Sequence, residues 1–145
     1  MKLIKLSMIL ALMLPLIGCE KDPVELTTVS FEDNDKGSGN FDRMIKICFT
    51  KPITSDYYHK IIIITHQAYK LEGSGMLKPL ASDPQNKCQT RNLYNYINRS
   101  TPIGARDMIK DYLTPGNINQ ILIKIYTEKP EGKERPMTER VYKNL

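Results

Sequence analysis

Four consecutive isoleucines, Ile61-Ile62-Ile63-Ile64, constrain this 145-residue chain more than any other stretch. Branching at Cβ restricts χ1 and suits a pleated strand better than a helix. Successive side chains of a strand point to opposite faces. A run that is apolar on both faces therefore reads as a central, buried strand, and left exposed it would be an aggregation hazard. The strand is expected within Tyr57–Tyr69, with Gly73-Ser74-Gly75 closing the segment.

Other segments carry the same period. Phe41, Arg43, Ile45, Ile47 and Phe49 alternate with Asp42, Met44, Lys46 and Cys48, and Lys51-Pro52 ends the run because proline removes a ladder donor. Leu26 to Phe31 is β-prone, and Asp33 to Asn40 reads as a turn or loop. Met76 to Leu80 reads as a short strand stopped at Pro79. Cys88 to Ile97 reads as a strand with Tyr94 and Tyr96 on one face and Leu93, Asn95 and Ile97 on the other. Ser100-Thr101-Pro102 resembles a helix start, and Ala105, Ile109 and Leu113 follow at helical spacing. Asn119 to Thr127 sets Ile121, Ile123 and Ile125 against Leu122, Lys124 and Tyr126; a hairpin loop at Lys129–Lys133 then leads to a more polar closing edge strand, Arg135–Leu145. Six to seven short strands and one short helix predict a mainly β fold, an antiparallel β-sandwich of immunoglobulin-like or transthyretin-like type.

The start of the chain is of another kind. Lys2 and Lys5 precede a twelve-residue apolar run, Leu6 to Ile17, interrupted only by Ser7 and Pro15. That run is too short to cross a hydrocarbon core of about 30 Å. It ends in Leu16-Ile17-Gly18-Cys19, which resembles the lipobox of bacterial lipoproteins. The resemblance implies lipidation of Cys19 by diacylglyceryl and palmitate-type chains, cleavage before it, and anchoring at about 0.8 kcal/mol per buried methylene. The competing reading is an ordinary secretory signal with an incidental cysteine. With Glu20 and not Asp after Cys19, the resemblance further implies the outer membrane, periplasmic face. Residues 1–18 are then a signal peptide, 19–23 a lipidated tether, and 24–145 a single β-sandwich domain.

Removing the signal leaves 19 basic and 16 acidic residues, net +3. Residues 20–42 carry seven acids and two bases, whereas 43–145 carry 17 bases and nine acids. A basic body draws anionic partners or envelope polymers, or is simply a solvated surface. No nucleic-acid module pattern is present. With Cys19 taken by lipid, Cys48 and Cys88 remain; an oxidising compartment makes a disulfide between them the default, with two free thiols as the alternative.

Catalytic chemistry is not legible. There is no nucleophile elbow, P-loop, dinucleotide fingerprint or paired-histidine zinc motif, so the chain reads as a non-enzyme without cofactor or metal. His59 and His66, read as strand-end histidines near the surface, would lie ~23 Å apart on one extended strand. Asp33-Asn34-Asp35 begins like a calcium loop but lacks its glycine and closing glutamate. Tyrosines suit protein interfaces, which makes Tyr57, Tyr58, Tyr94 and Tyr96 candidate partner-binding residues; the competing reading packs them on the core.

Several features together resemble small enterobacterial periplasmic lipoproteins described as type VI secretion immunity proteins. These are the lipobox at Leu16–Cys19, the apolar strand ending Ile47-Cys48-Phe49-Thr50, the isoleucine strand, Cys88, and Pro115-Gly116 leading into Ile121-Leu122-Ile123. The resemblance implies an immunity protein that blocks a periplasm-targeted toxin by direct binding. A sandwich lipoprotein of this size also resembles the lipoprotein subunit that tethers an envelope secretion complex to the outer membrane. A third reading is a ligand- or polymer-binding envelope protein. If Cys19 carries the anchor, Cys19→Ala abolishes membrane fractionation and the globomycin-sensitive mobility shift; a Cys19→Ala protein that still sediments with membranes refutes the anchor.

Overall fold

The computed structural model describes residues 21–35, 41–98, 109, 112–114 and 116–143. Cys19, the segment before it, and most of the helix expected over residues 100–113 lie outside the described residues. In chain order the elements are β1 (Leu26–Asp35), β2 (Phe41–Phe49), β3 (Tyr57–Thr65), β4 (Lys70–Leu77), β5 (Cys88–Asn92), α1 (Leu93–Asn98), β6 (Ile118–Tyr126) and β7 (Thr138–Lys143). They form two antiparallel sheets, β1-β2-β5 and β4-β3-β6-β7. The fold is the expected β-sandwich. Its strand order follows the immunoglobulin-like plan, with β4 paired to β3 in the four-stranded sheet.

Alternation builds the core. Ile45, Ile47 and Phe49 of β2 face inward, as do Tyr57, Ile61 and Ile63 of β3 and Ile121, Ile123 and Ile125 of β6, and all belong to one buried cluster. Burying each such side chain contributes about 1.5–3 kcal/mol. The isoleucine run departs from its expectation here. Buried and half-buried positions alternate strictly along β3, so Ile61 and Ile63 lie in the core while Ile62 and Ile64 lie on a half-covered outer face. The strand is central, between β4 and β6, but only one of its faces is fully buried.

Three other boundaries are corrected. First, β5 stops at Asn92, and Leu93–Asn98 is helix, not strand. The Asn92 side-chain oxygen accepts the Asn95 N–H at 3.1 Å, as an N-cap does. Helical spacing then buries Leu93 and Ile97 together and leaves Asn95 exposed. Second, Gly73-Ser74-Gly75 lies inside β4, paired opposite Ile61, Lys60 and His59. The chain instead turns at 66–69, where Ala68 takes a φ of 64° and Thr65 is bonded through N–H, carbonyl and hydroxyl oxygens to Ala68 and Tyr69. Third, β1 runs on to Asp35, so the first three residues of the stretch expected as a loop, Asp33–Asp35, are strand, and the rest of it lies outside the described residues. The C-terminal strand is an exposed edge, as expected. Of the segment expected as a helix, Ile109 and Leu113 are buried and joined by a helical N–H to carbonyl bond of 3.1 Å.

Polar staples close both flanks. On one, Arg140 of β7 donates to the Leu26 and Thr27 carbonyls of β1 at 2.9 and 3.0 Å. On the other, Gln89 of β5, 2% exposed, donates to the Lys78 carbonyl beyond β4 at 2.7 Å. Cys48 and Cys88 share one rung of the β2–β5 ladder and form the disulfide, with Cα atoms 4.0 Å apart. Closing a loop of sequence separation 40 stabilises by roughly 4 kcal/mol in the chain-entropy model. The tether is less free than its composition implies. Lys21 Nζ donates to the Asp56 and Thr127 carbonyls at 2.9 and 2.6 Å, and the Tyr57 hydroxyl donates to the Asp22 carbonyl at 2.7 Å.

The alternation along β3 predicts that Ile61→Ala lowers unfolding free energy by about 3–4 kcal/mol and Ile62→Ala by about 1. Urea denaturation of the two variants checks this, and equal losses refute the assignment of faces.

Candidate functional site

The same alternation that fills the core dictates what the four-stranded sheet presents outward. Register places the outer residues in rows across β4, β3, β6 and β7. One row is Glu72, Ile62, Leu122 and Val141; the next is Ser74, Lys60, Lys124 and Glu139; Met76, Tyr58 and Tyr126 form a third. Apolar side chains fall in the first and third of these rows, on either side of the lysine row. Ile62 and Leu122 are half-buried, while Met76 and Val141 are 42% and 48% exposed. The Tyr58 and Tyr126 rings meet at 6.3 Å between centroids.

Charged residues run between these two rows and along their ends. Lys60 and Lys124 are direct cross-strand neighbours, a repulsive arrangement. Each is met by an acid: Lys60 by Glu72 at 2.8 Å and Lys124 by Glu139 at 3.0 Å. Lys70 also pairs with Glu72. Hydrogen bonds from Lys60 and Lys70 hold the Glu72 carboxyl below its ordinary pKa. Such solvent-exposed pairs are worth about 0–1 kcal/mol each and fix side-chain positions more than they stabilise.

The four tyrosines do not form one surface. Tyr58 lies on the outer face. Tyr57, one residue earlier, has the opposite parity and is 0% exposed, so its ring is core and offers nothing to a partner. Burial, then the charge of Asp22, raises its hydroxyl pKa, so the group is a neutral donor. Tyr94 is half-buried against the core on α1. Tyr96 lies in the same helix, but its side chain is outside the described residues. Met76, Ile62, Leu122 and Val141 share the outer face with Tyr58 and are not among the expected interface residues; Tyr126, in the same row as Tyr58, is only 9% exposed. The usable signal was parity: the side chains of Tyr58, Lys60 and Ile62 align with those of Tyr126, Lys124 and Leu122 once β3 and β6 are paired.

A second feature lies at the flank where the edge strands β4 and β5 approach each other. A cleft of about 300 Å³ is lined there by His59, Ser74, Met76, Arg91, Asn92 and Asn95, with the Gly75 backbone. His59 is no surface residue: it is 0% exposed, with Nδ1 2.8 Å from the Gly75 carbonyl oxygen. Burial, opposed by that hydrogen bond and reinforced by the Arg91 charge, lowers its pKa from 6.5 to about 4. His66 sits in the exposed turn after β3, so the two histidines build no common site. Among the described residues no three His, Cys, Asp or Glu side chains converge as metal ligands. Comparison with family models, curated proteins and solved structures finds no match.

His59 makes stability depend on pH. Its folded pKa lies below the unfolded value, so the unfolded chain takes up the proton first as pH falls. The stabilisation is complete above pH 6.5 and is lost progressively between 6.5 and about 4. The protein is therefore expected to be about 2 kcal/mol less stable at pH 5 than at pH 7. His59→Gln removes most of that difference; urea midpoints at the two pH values check it, and an unchanged slope in the variant refutes it.

Proposed function

We propose that the chain is a lipid-anchored periplasmic immunity protein that blocks a periplasm-targeted toxin by direct binding. The observation that carries this reading is the outer face of the four-stranded sheet, where two apolar groups, Ile62–Leu122–Val141 and Met76–Tyr58, flank a row of lysines ion-paired to glutamates. Exposed apolar and aromatic side chains interleaved with charged ones suit a polar protein–protein contact. Lys60, Lys70, Lys124 and Lys143 outnumber Glu72 and Glu139 on this face, so it complements an acidic surface. Binding acts by occlusion: the toxin's working surface is covered, and no bond is made or broken. A sandwich stapled at both flanks and crosslinked between β2 and β5 presents that face already ordered, which reduces the entropy cost of association.

The tether supports placement close to the membrane. Lipid on Cys19 would leave only Glu20 before the bonded Lys21, so the end of the sandwich carrying Asp56 and Thr127 would face the bilayer. The same rigid mounting favours the second reading, a structural lipoprotein holding an envelope secretion complex at the outer membrane; stable co-purification with complex subunits would select it.

Periplasmic co-expression with the candidate toxin tests the main reading. The intact protein restores growth, a version confined to the cytoplasm does not, and Leu122→Asp abolishes rescue while the protein accumulates normally. Absence of rescue and of any complex rejects immunity; rescue unaffected by Leu122→Asp and by Ile62→Asp rejects this face as the contact.

A further inference from the structure

We propose that the cleft between the β4 and β5 edges is a carboxylate-binding site centred on Arg91. This site borders the outer face, with which it shares Ser74 and Met76, but its centre, Arg91, lies on β5 of the other sheet, and it stands whether or not the immunity reading holds.

The argument begins with how Arg91 is held. One of its Nη2 hydrogens is donated to the Gln89 side-chain oxygen at 2.7 Å. Gln89 is 2% exposed, and its amide nitrogen is in turn committed to the Lys78 carbonyl at 2.7 Å. Both ends of that amide are thus occupied, so the oxygen cannot swing away from the guanidinium. A planar group with one donor anchored on a buried partner is pre-oriented, and its remaining N–H groups are directed by the same plane. Among the described residues Arg91 makes no ion pair, although Arg is the side chain best suited to bidentate contact with a carboxylate.

The rest of the lining fits an anion. Asn92 spends its side-chain oxygen on the Asn95 N–H, which leaves its amide hydrogens as the available groups. Ser74 and the Asn95 amide add further donors, and among the described residues no Asp or Glu lines the cleft. His59 stays uncharged at neutral pH, so among the described residues Arg91 supplies the cleft's one full positive charge. One guanidinium surrounded by neutral donors matches a singly charged, planar carboxylate better than a phosphate dianion. A space of about 300 Å³ accepts a group the size of an acidic side chain or a small organic acid and sits at the lower limit for ligand pockets. Met76, exposed beside the mouth, offers an adaptable apolar contact to the stem of such a group.

The experiment uses the full chain in detergent micelles at pH 7 and constant ionic strength. The Arg91 Nε–H and the Asn92 and Asn95 side-chain amide signals are followed by nuclear magnetic resonance during titration with propionate. Saturable shifts with propionate, and none with chloride, are expected. Arg91→Lys weakens binding about tenfold, because the two-point contact is lost, and Arg91→Gln abolishes it. A blocked peptide carrying one glutamate distinguishes the sources: tighter binding than propionate assigns the site to a protein side chain, and equal or weaker binding assigns it to a free acid. The proposal is overturned by linear, non-saturating shifts with propionate, by equal shifts with chloride, or by unchanged propionate binding in Arg91→Gln. Toxin rescue is read separately and does not enter this outcome.

Discussion

Two sets of isoleucines meeting face to face are the constraint from which the rest of this structure follows. Ile45 and Ile47 come from the centre of one sheet, and Ile61, Ile63, Ile121 and Ile123 from the two inner strands of the other. Because side chains alternate with a period of two, a slip of one residue in any of these strands would send its isoleucines to solvent. Burial thus locks the register, and the register decides which residues are left outside. Tyr58 and Tyr126 meet, and Lys60 and Lys124 stand side by side, because the core has fixed the other half of each strand.

That logic also explains what could be read from the chain and what could not. The strands at 41–49 and 118–126 were legible because their apolar residues alternate with polar ones. The Ile61–Ile64 run carried no alternation, so it specified a strand without specifying its faces. Pairing to Glu72 and Leu122 on one side of the sheet and to Gly73 and Ile123 on the other resolved them. Leu93–Asn98 is ambiguous in the sequence because Leu93 and Ile97, four residues apart, fit one face of a strand as well as one face of a helix. The deciding contact, Asn92 capping Asn95, is a local hydrogen bond that a hydrophobic pattern does not register. Tyr57 was offered to a partner and Tyr58 beside it was too, yet only one residue of an adjacent pair can share a face.

The cleft was wholly invisible in the chain. His59, Ser74, Arg91 and Asn95 have no spacing that unites them; they converge because β4 and β5 end their respective sheets on the same flank. The opposite flank, where β1 and β7 meet, is tied by Arg140 to two backbone carbonyls. Two arginines thus stand at comparable places in the sandwich with different commitments: one spends two contacts on backbone oxygens, and the other is held by a single side chain.

The crosslink between β2 and β5 has a mechanical consequence. Cys48 and Cys88 bracket β3 and β4, so a pull transmitted along the backbone crosses from one sulfur to the other and bypasses the intervening chain. At about 3.4 Å per extended residue, roughly 130–140 Å of contour is withheld from stretching. β3, the strand at the heart of the larger sheet, lies inside that shielded loop. Traction between the two ends of the chain could strip β1 or β7 from the edges, but it could not draw out the strand on which the interior is built while the two sulfurs remain joined.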